Sequence, residues 1–138
     1  MPGTCALTVD DLALGSRPCP WRAADGTPFP GLAWDPAEGS PVANVLCIHG
    51  LGGAAADFGP LARFLAARGC AVRAINLRGQ GNDPDVSRRG HFLDPAGWRA
   101  DLAAFTRGLG TDVPLFVIGE SMGALIAVDA VAHGTLSP

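Results

Sequence analysis

From residue 42 onward the chain alternates two kinds of apolar pattern. Short unbroken apolar runs occupy Asn44 to His49, Ala71 to Asn76 and Pro114 to Ile118, as expected of strands buried on both faces. Between them, apolar residues recur at helical spacing. Asp57 to Arg68 carries Phe58, Leu61, Phe64 and Leu65, with Gly69 where a helix C-cap belongs. A second helix opens at Asp94 or Pro95, with Trp98, Leu102 and Phe105 on one face. Met122 to His133 is apolar on nearly all sides, which predicts a buried helix ended by Gly134. Gly79 to His91, rich in Gly, Asn, Asp and Arg, is predicted as a loop. Strands alternating with helices imply parallel strands joined by right-handed crossovers, an α/β sheet.

Residues 1–40 read differently: short apolar pieces lie among prolines and glycines. Asp25-Gly26 signals a hairpin turn, with Trp21 on one arm and Phe29 to Trp34 on the other. Prolines 18, 20, 28 and 30 confine these strands to a sheet edge, because proline cannot donate to the ladder.

At 138 residues the chain has room for one domain with a real core. A hydrophobic content of 48% with 17% charged residues describes a globular protein rather than a disordered one. A net charge of -3, with all ten basic residues arginine and no basic stripe, gives no case for a nucleic-acid partner. The N-terminal ten residues lack the charged-then-apolar order of a secretory signal. The longest uncharged stretch, Ser40 to Ala56, contains Pro41, Asn44, His49 and three glycines and is too short to span a bilayer, so no stable membrane insertion is expected. Cys5, Cys19, Cys47 and Cys70 show neither C-x-x-C pairing nor zinc-like spacing. A cytoplasmic protein without bound metal is the expectation, and the oligomeric state is left open.

Gly119-Glu120-Ser121-Met122-Gly123 follows the third apolar run and opens the last helix. With 19 glycines and five serines in the chain, the pentapeptide alone arises by chance at roughly 10%. Its strand-before, helix-after context is far more restrictive and is that of a nucleophile elbow. A sharp turn needs residues without bulk at 119 and 123, and it sets Ser121 at a helix N-terminus that favours developing negative charge. Acyl transfer also needs amide donors for the tetrahedral oxyanion. Met122 N–H is one candidate. His49-Gly50-Leu51-Gly52-Gly53, a glycine-rich loop between a buried strand and a helix, offers a second in Leu51 N–H.

With His49-Gly50-Leu51-Gly52, then Asn76-Leu77-Arg78-Gly79-Gln80-Gly81, then Gly119 to Gly123 in order, the chain resembles the α/β-hydrolase family. Within it, the resemblance is to the monoacylglycerol lipase and lysophospholipase-like (serine aminopeptidase-type) branch, and it covers residues 20 to 134. The resemblance implies an α/β fold: the N-terminal portion of an α/β-hydrolase domain, with a mostly parallel sheet and a leading antiparallel hairpin. Residues 1–40 would form the hairpin region and 41–138 the strand–helix core. It implies a serine hydrolase acting on small acyl esters without a cofactor, with Ser121 as nucleophile and Leu51 and Met122 amides as oxyanion donors. His49, Gly50, Gly52, Gly119 and Gly123 would support these motifs. The family usually carries aspartate where this chain has Asn76.

The family's acid and histidine follow the serine in chain order, yet only seventeen residues follow Ser121 here. Asp129 and His133 lie about 12 and 18 Å along the last helix and cannot reach the hydroxyl. His49 reads as a structural residue beside the oxyanion loop, His91 as a solvated loop histidine, and Asp83 and Asp85 as turn residues. A chain without its acid and base is expected to be inactive alone, as a fragment or a non-catalytic hydrolase half, and the edge beyond Ser121 to stay unpaired. A third reading is dinucleotide binding. Gly50-x-Gly52-x-x-Ala55 fits the relaxed fingerprint and Arg78 could meet a 2′-phosphate, but Asn76 replaces the expected acid and Ser121 is left unexplained.

Overall fold

The computed structural model describes residues 9–91 and 93–137. The readings made on residues 1–8, Cys5 included, fall outside them. The three apolar runs are strands: β5 (Ala43–Ile48), β6 (Cys70–Ile75) and β7 (Leu115–Gly119). All three are parallel, with β5 in the middle, register-paired Val45 to Val72 on one side and to Phe116 on the other. Alternation along β5 then builds two cores. Leu46 and Ile48 face one layer with Trp98, Leu102, Phe105 and Ile126; Val45 and Cys47 face the other with Phe58, Ala62 and Ala66. Burial pushes the Cys47 thiol up to about 12, so it behaves as a small hydrophobe.

The leading region departs from a single hairpin. A short helix α1 (Val9–Ala13) and strand β1 (Arg17–Pro18) precede β2 (Trp21–Arg22) and β3 (Pro28–Phe29), which pair as a separate two-stranded ribbon around the Asp25-Gly26 turn. The predicted second arm breaks at Pro30. Beyond it, β4 (Gly31–Trp34) joins the main sheet, antiparallel to β6 on one side and to β1 on the other. The reason is visible at the break: Pro30 has no N–H to give, while its carbonyl accepts from both Asn76 N–H (3.3 Å) and Asn76 Nδ2 (3.2 Å). The sheet order is β1-β4-β6-β5-β7, so Pro18 does lie on an edge strand.

Two helix expectations need correction. Asp57 to Arg68 splits into a 3-10 turn (Ala55–Phe58) and α2 (Gly59–Ala66), and α2 buries Gly59, Ala62 and Ala66 rather than Leu61 and Phe64, which are exposed. Small residues let the helix sit close to the sheet; a Cβ on Gly59 would overlap the Leu12 carbonyl of α1. Helix α3 (Pro95–Thr106) buries Trp98, Leu102 and Phe105 as predicted. Helix α4 (Met122–Ala132) buries only Gly123, Ile126 and Ala130; Leu125 is 73% and Val128 67% exposed, as is Phe116 of β7 at 58%. The all-round apolar pattern therefore does not mean all-round burial here. Helix α4 packs on β7, the last strand of the sheet, and no described residue lies beyond that edge.

Candidate active site

Ser121 stands at the junction of β7 and α4 with φ 51° and ψ -116°, and it is the one non-glycine among the described residues with positive φ. L-residues avoid this conformation, at a cost of order 1–3 kcal/mol, unless the surroundings over-determine it. They do so through three glycines. A Cβ at Gly119 would lie 2.5 Å from Ala124 Cα, and one at Gly123 would overlap the Ile48 carbonyl oxygen and meet that of His49 at 2.6 Å. A Cβ at Gly50 would lie 3.2 Å from Ser121 Cβ. The glycine-rich loop and the serine turn are thus in direct contact, with Glu120 N–H donating to Ile48 C=O at 3.0 Å to hold them together. The Ser121 side is open to solvent.

Of the two amides singled out in the sequence, Met122 N–H begins α4 and Leu51 N–H lies in the loop after β5. Neither donates to an acceptor among the described residues. The orientation of Leu51 N–H follows from His49. This imidazole is fully buried, accepts from Leu77 N–H on Nε2 (3.0 Å) and so carries its proton on Nδ1, which donates to Gly50 C=O at 2.8 Å. Gly50 C=O and Leu51 N–H belong to one peptide and point in opposite directions. Burial holds the His49 pKa below the ordinary imidazole value, with the Gly50 carbonyl offsetting part of it. Both ring nitrogens being engaged, His49 is a brace and not a proton acceptor for Ser121.

The segment after β6 grips the same loop at two more points. Asn76 Oδ1 accepts from Ala55 N–H (3.0 Å), and Gln80 Oε1 accepts from Gly52 N–H (3.1 Å). Asn76 also gives Nδ2 to Pro30 C=O, a bond that an aspartate at this position could not donate. Arg78 is buried in a bidentate pair with Asp101 (2.8 and 3.0 Å) and a second with Asp25 of the ribbon turn (2.9 and 3.1 Å). These carboxylates, Asp101 foremost, raise the arginine's pKa, and Arg78 in turn holds Asp25 well below the usual carboxylate range. The cluster locks the β2–β3 ribbon onto α3. Dinucleotide binding loses its support: Gly52 and Ala55 amides are taken, Gly50 faces Ser121, and Arg78 is committed to two aspartates.

Asp83 is a turn residue, as predicted, but fully buried. Burial alone would raise its carboxyl; Arg88 and the Gly79 and Asp85 amides outweigh that and hold it below the usual range. His91 is exposed on the same loop. On α4, Asp129 pairs with Arg99 at 2.6 Å and with His133 at 3.3 Å, well away from the N-terminal turn. Among the described residues no histidine side chain hydrogen-bonds to Ser121. Sequence reading missed Gln80 and the Arg78 cluster; a polar residue between Gly79 and Gly81, and an arginine two residues past a buried strand, were the available signals. No helix among the described residues is long and apolar enough to cross a membrane.

This geometry has relatives. The family model described as "Serine aminopeptidase, S33" matches residues 39–135. An uncharacterized abhydrolase domain-containing protein of Dictyostelium discoideum is 33% identical over 95 residues, which is 69% of this chain and 10% of that protein. Among solved structures, a soluble variant of monoglyceride lipase from Saccharomyces cerevisiae superposes with a TM-score of 0.71 at 26% identity, over 80% of this chain and 38% of that one. A bacterial membrane phospholipase A gives 0.69 at 27%, over 90% and 37%. A cold-adapted esterase from an Arctic intertidal metagenomic library gives 0.69 at 27%, over 94% and 59%. The chain spans about a tenth of the Dictyostelium protein and between 37 and 59% of these solved chains. Strand order, serine turn and family match agree: the chain belongs to the serine aminopeptidase (S33) family of α/β hydrolases.

Proposed function

We propose that this chain carries the nucleophile half of a serine ester hydrolase, with Ser121 as nucleophile and small carboxylic esters, such as a monoacylglycerol or a lysophospholipid, as substrates. The observation that carries the proposal is the left-handed backbone of Ser121, held by Gly50, Gly119 and Gly123. Strain of this kind persists where it presents a side chain for use. In the reaction, Ser121 Oγ attacks the ester carbonyl carbon while a base takes its proton, and the oxyanion is held by Leu51 and Met122 amides. Collapse then expels the alcohol, and water releases the acid from the acyl-enzyme. The esterase and lipase character of the structural relatives supports the ester class.

The base and its orienting acid are proposed to come from outside these 138 residues. His49 has both nitrogens engaged, His133 is tied to Asp129, and His91 faces solvent. Turnover of p-nitrophenyl butyrate by the chain alone tests this. Negligible hydrolysis is expected. Ser121-dependent turnover at an ordinary enzyme rate would overturn the missing base while keeping the nucleophile; turnover unchanged by Ser121→Ala would overturn the nucleophile itself.

A further inference from the structure

Gly53 N–H donates to Gly50 C=O at 3.0 Å, closing a four-residue turn over Gly50-Leu51-Gly52-Gly53. Gly52 has φ 73°, and Leu51, being neither glycine nor Ser121, has negative φ. Negative φ followed by positive φ defines a type II turn. Types I and II differ mainly by rotating the central peptide through roughly half a turn. Here that peptide joins Leu51 C=O to Gly52 N–H. As observed, Gly52 N–H meets Gln80 Oε1. After rotation, the Leu51 carbonyl oxygen would face the Gln80 oxygen instead, replacing a hydrogen bond by two facing acceptors.

Gln80 is well mounted for this contact. The residue is buried, its N–H donates to Leu77 C=O (3.2 Å) and its C=O accepts from Asp83 N–H (2.9 Å). Asp83 is itself anchored by Gly79 N–H at 2.7 Å and by Arg88 through two bonds of 2.9 and 3.0 Å. A polar group with little freedom of its own makes a rigid acceptor. His49 orients the peptide before Leu51, and Gln80 orients the peptide after it. Leu51 is therefore held from both sides, its N–H left as an unengaged donor in the turn beside Ser121.

We propose that Gln80 is a positioning residue of the oxyanion loop: its carboxamide oxygen locks the Leu51–Gly52 peptide in the type II orientation and thereby fixes the turn that carries Leu51 N–H beside the serine. The functional part rests on the proposed roles of Ser121 and Leu51. Gln80→Met removes the acceptor at nearly constant volume, and Gln80→Glu keeps an oxygen there. Two readouts are taken on the 138-residue chain, with thermal midpoints as control. The first is amide hydrogen exchange at Gly52. The second is affinity for butylboronic acid, in which Ser121 Oγ bonds to boron, its proton passes to buffer, and the resulting tetrahedral boronate carries a negative charge. Gln80→Met is expected to speed Gly52 exchange at least tenfold and to weaken boronate binding several-fold, with Gln80→Glu restoring both toward wild type. Gly52 exchange within twofold of wild type in Gln80→Met overturns the lock; faster exchange with unchanged boronate affinity overturns the positioning role. If wild type and Ser121→Ala bind boronate equally, the nucleophile reading fails, and Gly52 exchange with its rescue by Gln80→Glu still decides the lock.

Discussion

On the β6 side of Ser121, the buried polar groups of Asn76, Arg78, Gln80 and Asp83 all have partners, among them Gly52 of the glycine-rich loop, Ala55 just beyond it and Asp25 of the ribbon turn. On the β7 side, Phe116, Leu125 and Val128 turn apolar side chains to water, and the strand edge is open. The serine turn sits on the seam. Its conformation is set from the finished side, by Gly50, Ile48 and His49, and from within, by Gly119 and Gly123. An elbow can therefore be fully formed while the flank beyond it remains uncovered, and a formed elbow says nothing about where the base comes from.

The seam is where the largest effect is expected. Gly123→Val drives a branched side chain into the Ile48 and His49 carbonyls, neither of which can move without breaking β5 from the serine turn. Overpacking against backbone at this density should cost at least about 4 kcal/mol, or prevent folding. Urea denaturation of the soluble fraction measures it. A loss under 1 kcal/mol would mean that the turn is not clamped as described.

Next comes the finished side. Arg78→Met leaves the Asp101 carboxylate, 6% exposed, without its cation, which should cost about 3 kcal/mol. Asp25, half exposed, is the lesser partner, and Asp25→Asn should cost no more than about 1 kcal/mol. Adding Asp101→Leu to Arg78→Met should recover much of the loss, since the unpaired buried charge is then gone. Additive losses in the double variant would argue that packing, not charge, holds the ribbon to α3.

How much of this was legible depends on the distance over which the cause acts. The strands, the loop and the serine turn were readable because period, glycine spacing and turn residues act within a few positions. The break at Pro30 was not, because it depends on Asn76 collecting a carbonyl 46 residues away. Arg78 meets Asp25 and Asp101 across 53 and 23 residues, and nothing local distinguishes it from a solvated arginine. Helix α2 misled because Leu61 and Phe64 outrank Ala62 and Ala66 in hydrophobicity while only the small pair fits against β6. For α4 the pattern was read correctly and its meaning was not: apolar residues report what a face can be covered by, and here the described chain covers only one side.

A smaller effect concerns pH. The folded His49 pKa lies below its unfolded value, near 6.5. Above that value neither state binds the proton and the full stability is present. As pH falls below it, the unfolded chain takes up a proton that folded His49 resists, so stability drops until the folded pKa is reached. One proton sets a slope of up to about 1.4 kcal/mol per pH unit. Between pH 6.5 and 5 the His49→Gln variant should show a flatter dependence than wild type, whatever its starting stability. An identical slope would move the titration to another group.

The smallest expected effect tests the bare side. Phe116→Lys and Val128→Lys each replace an apolar side chain that is more than half exposed, so each should change the unfolding free energy by no more than about 0.5 kcal/mol. Ile126→Ala, on the buried face of the same helix, should cost about 2–4 kcal/mol. The lysine variants should instead reduce association, because β7 offers an uncharged, unprotected edge and charge is what blunts such edges. Light scattering across a concentration series separates the two outcomes. If Val128→Lys costs more than 1 kcal/mol and the cost grows with protein concentration, this flank is covered in solution, and the contrast between the two sides of Ser121 is a property of the single chain only.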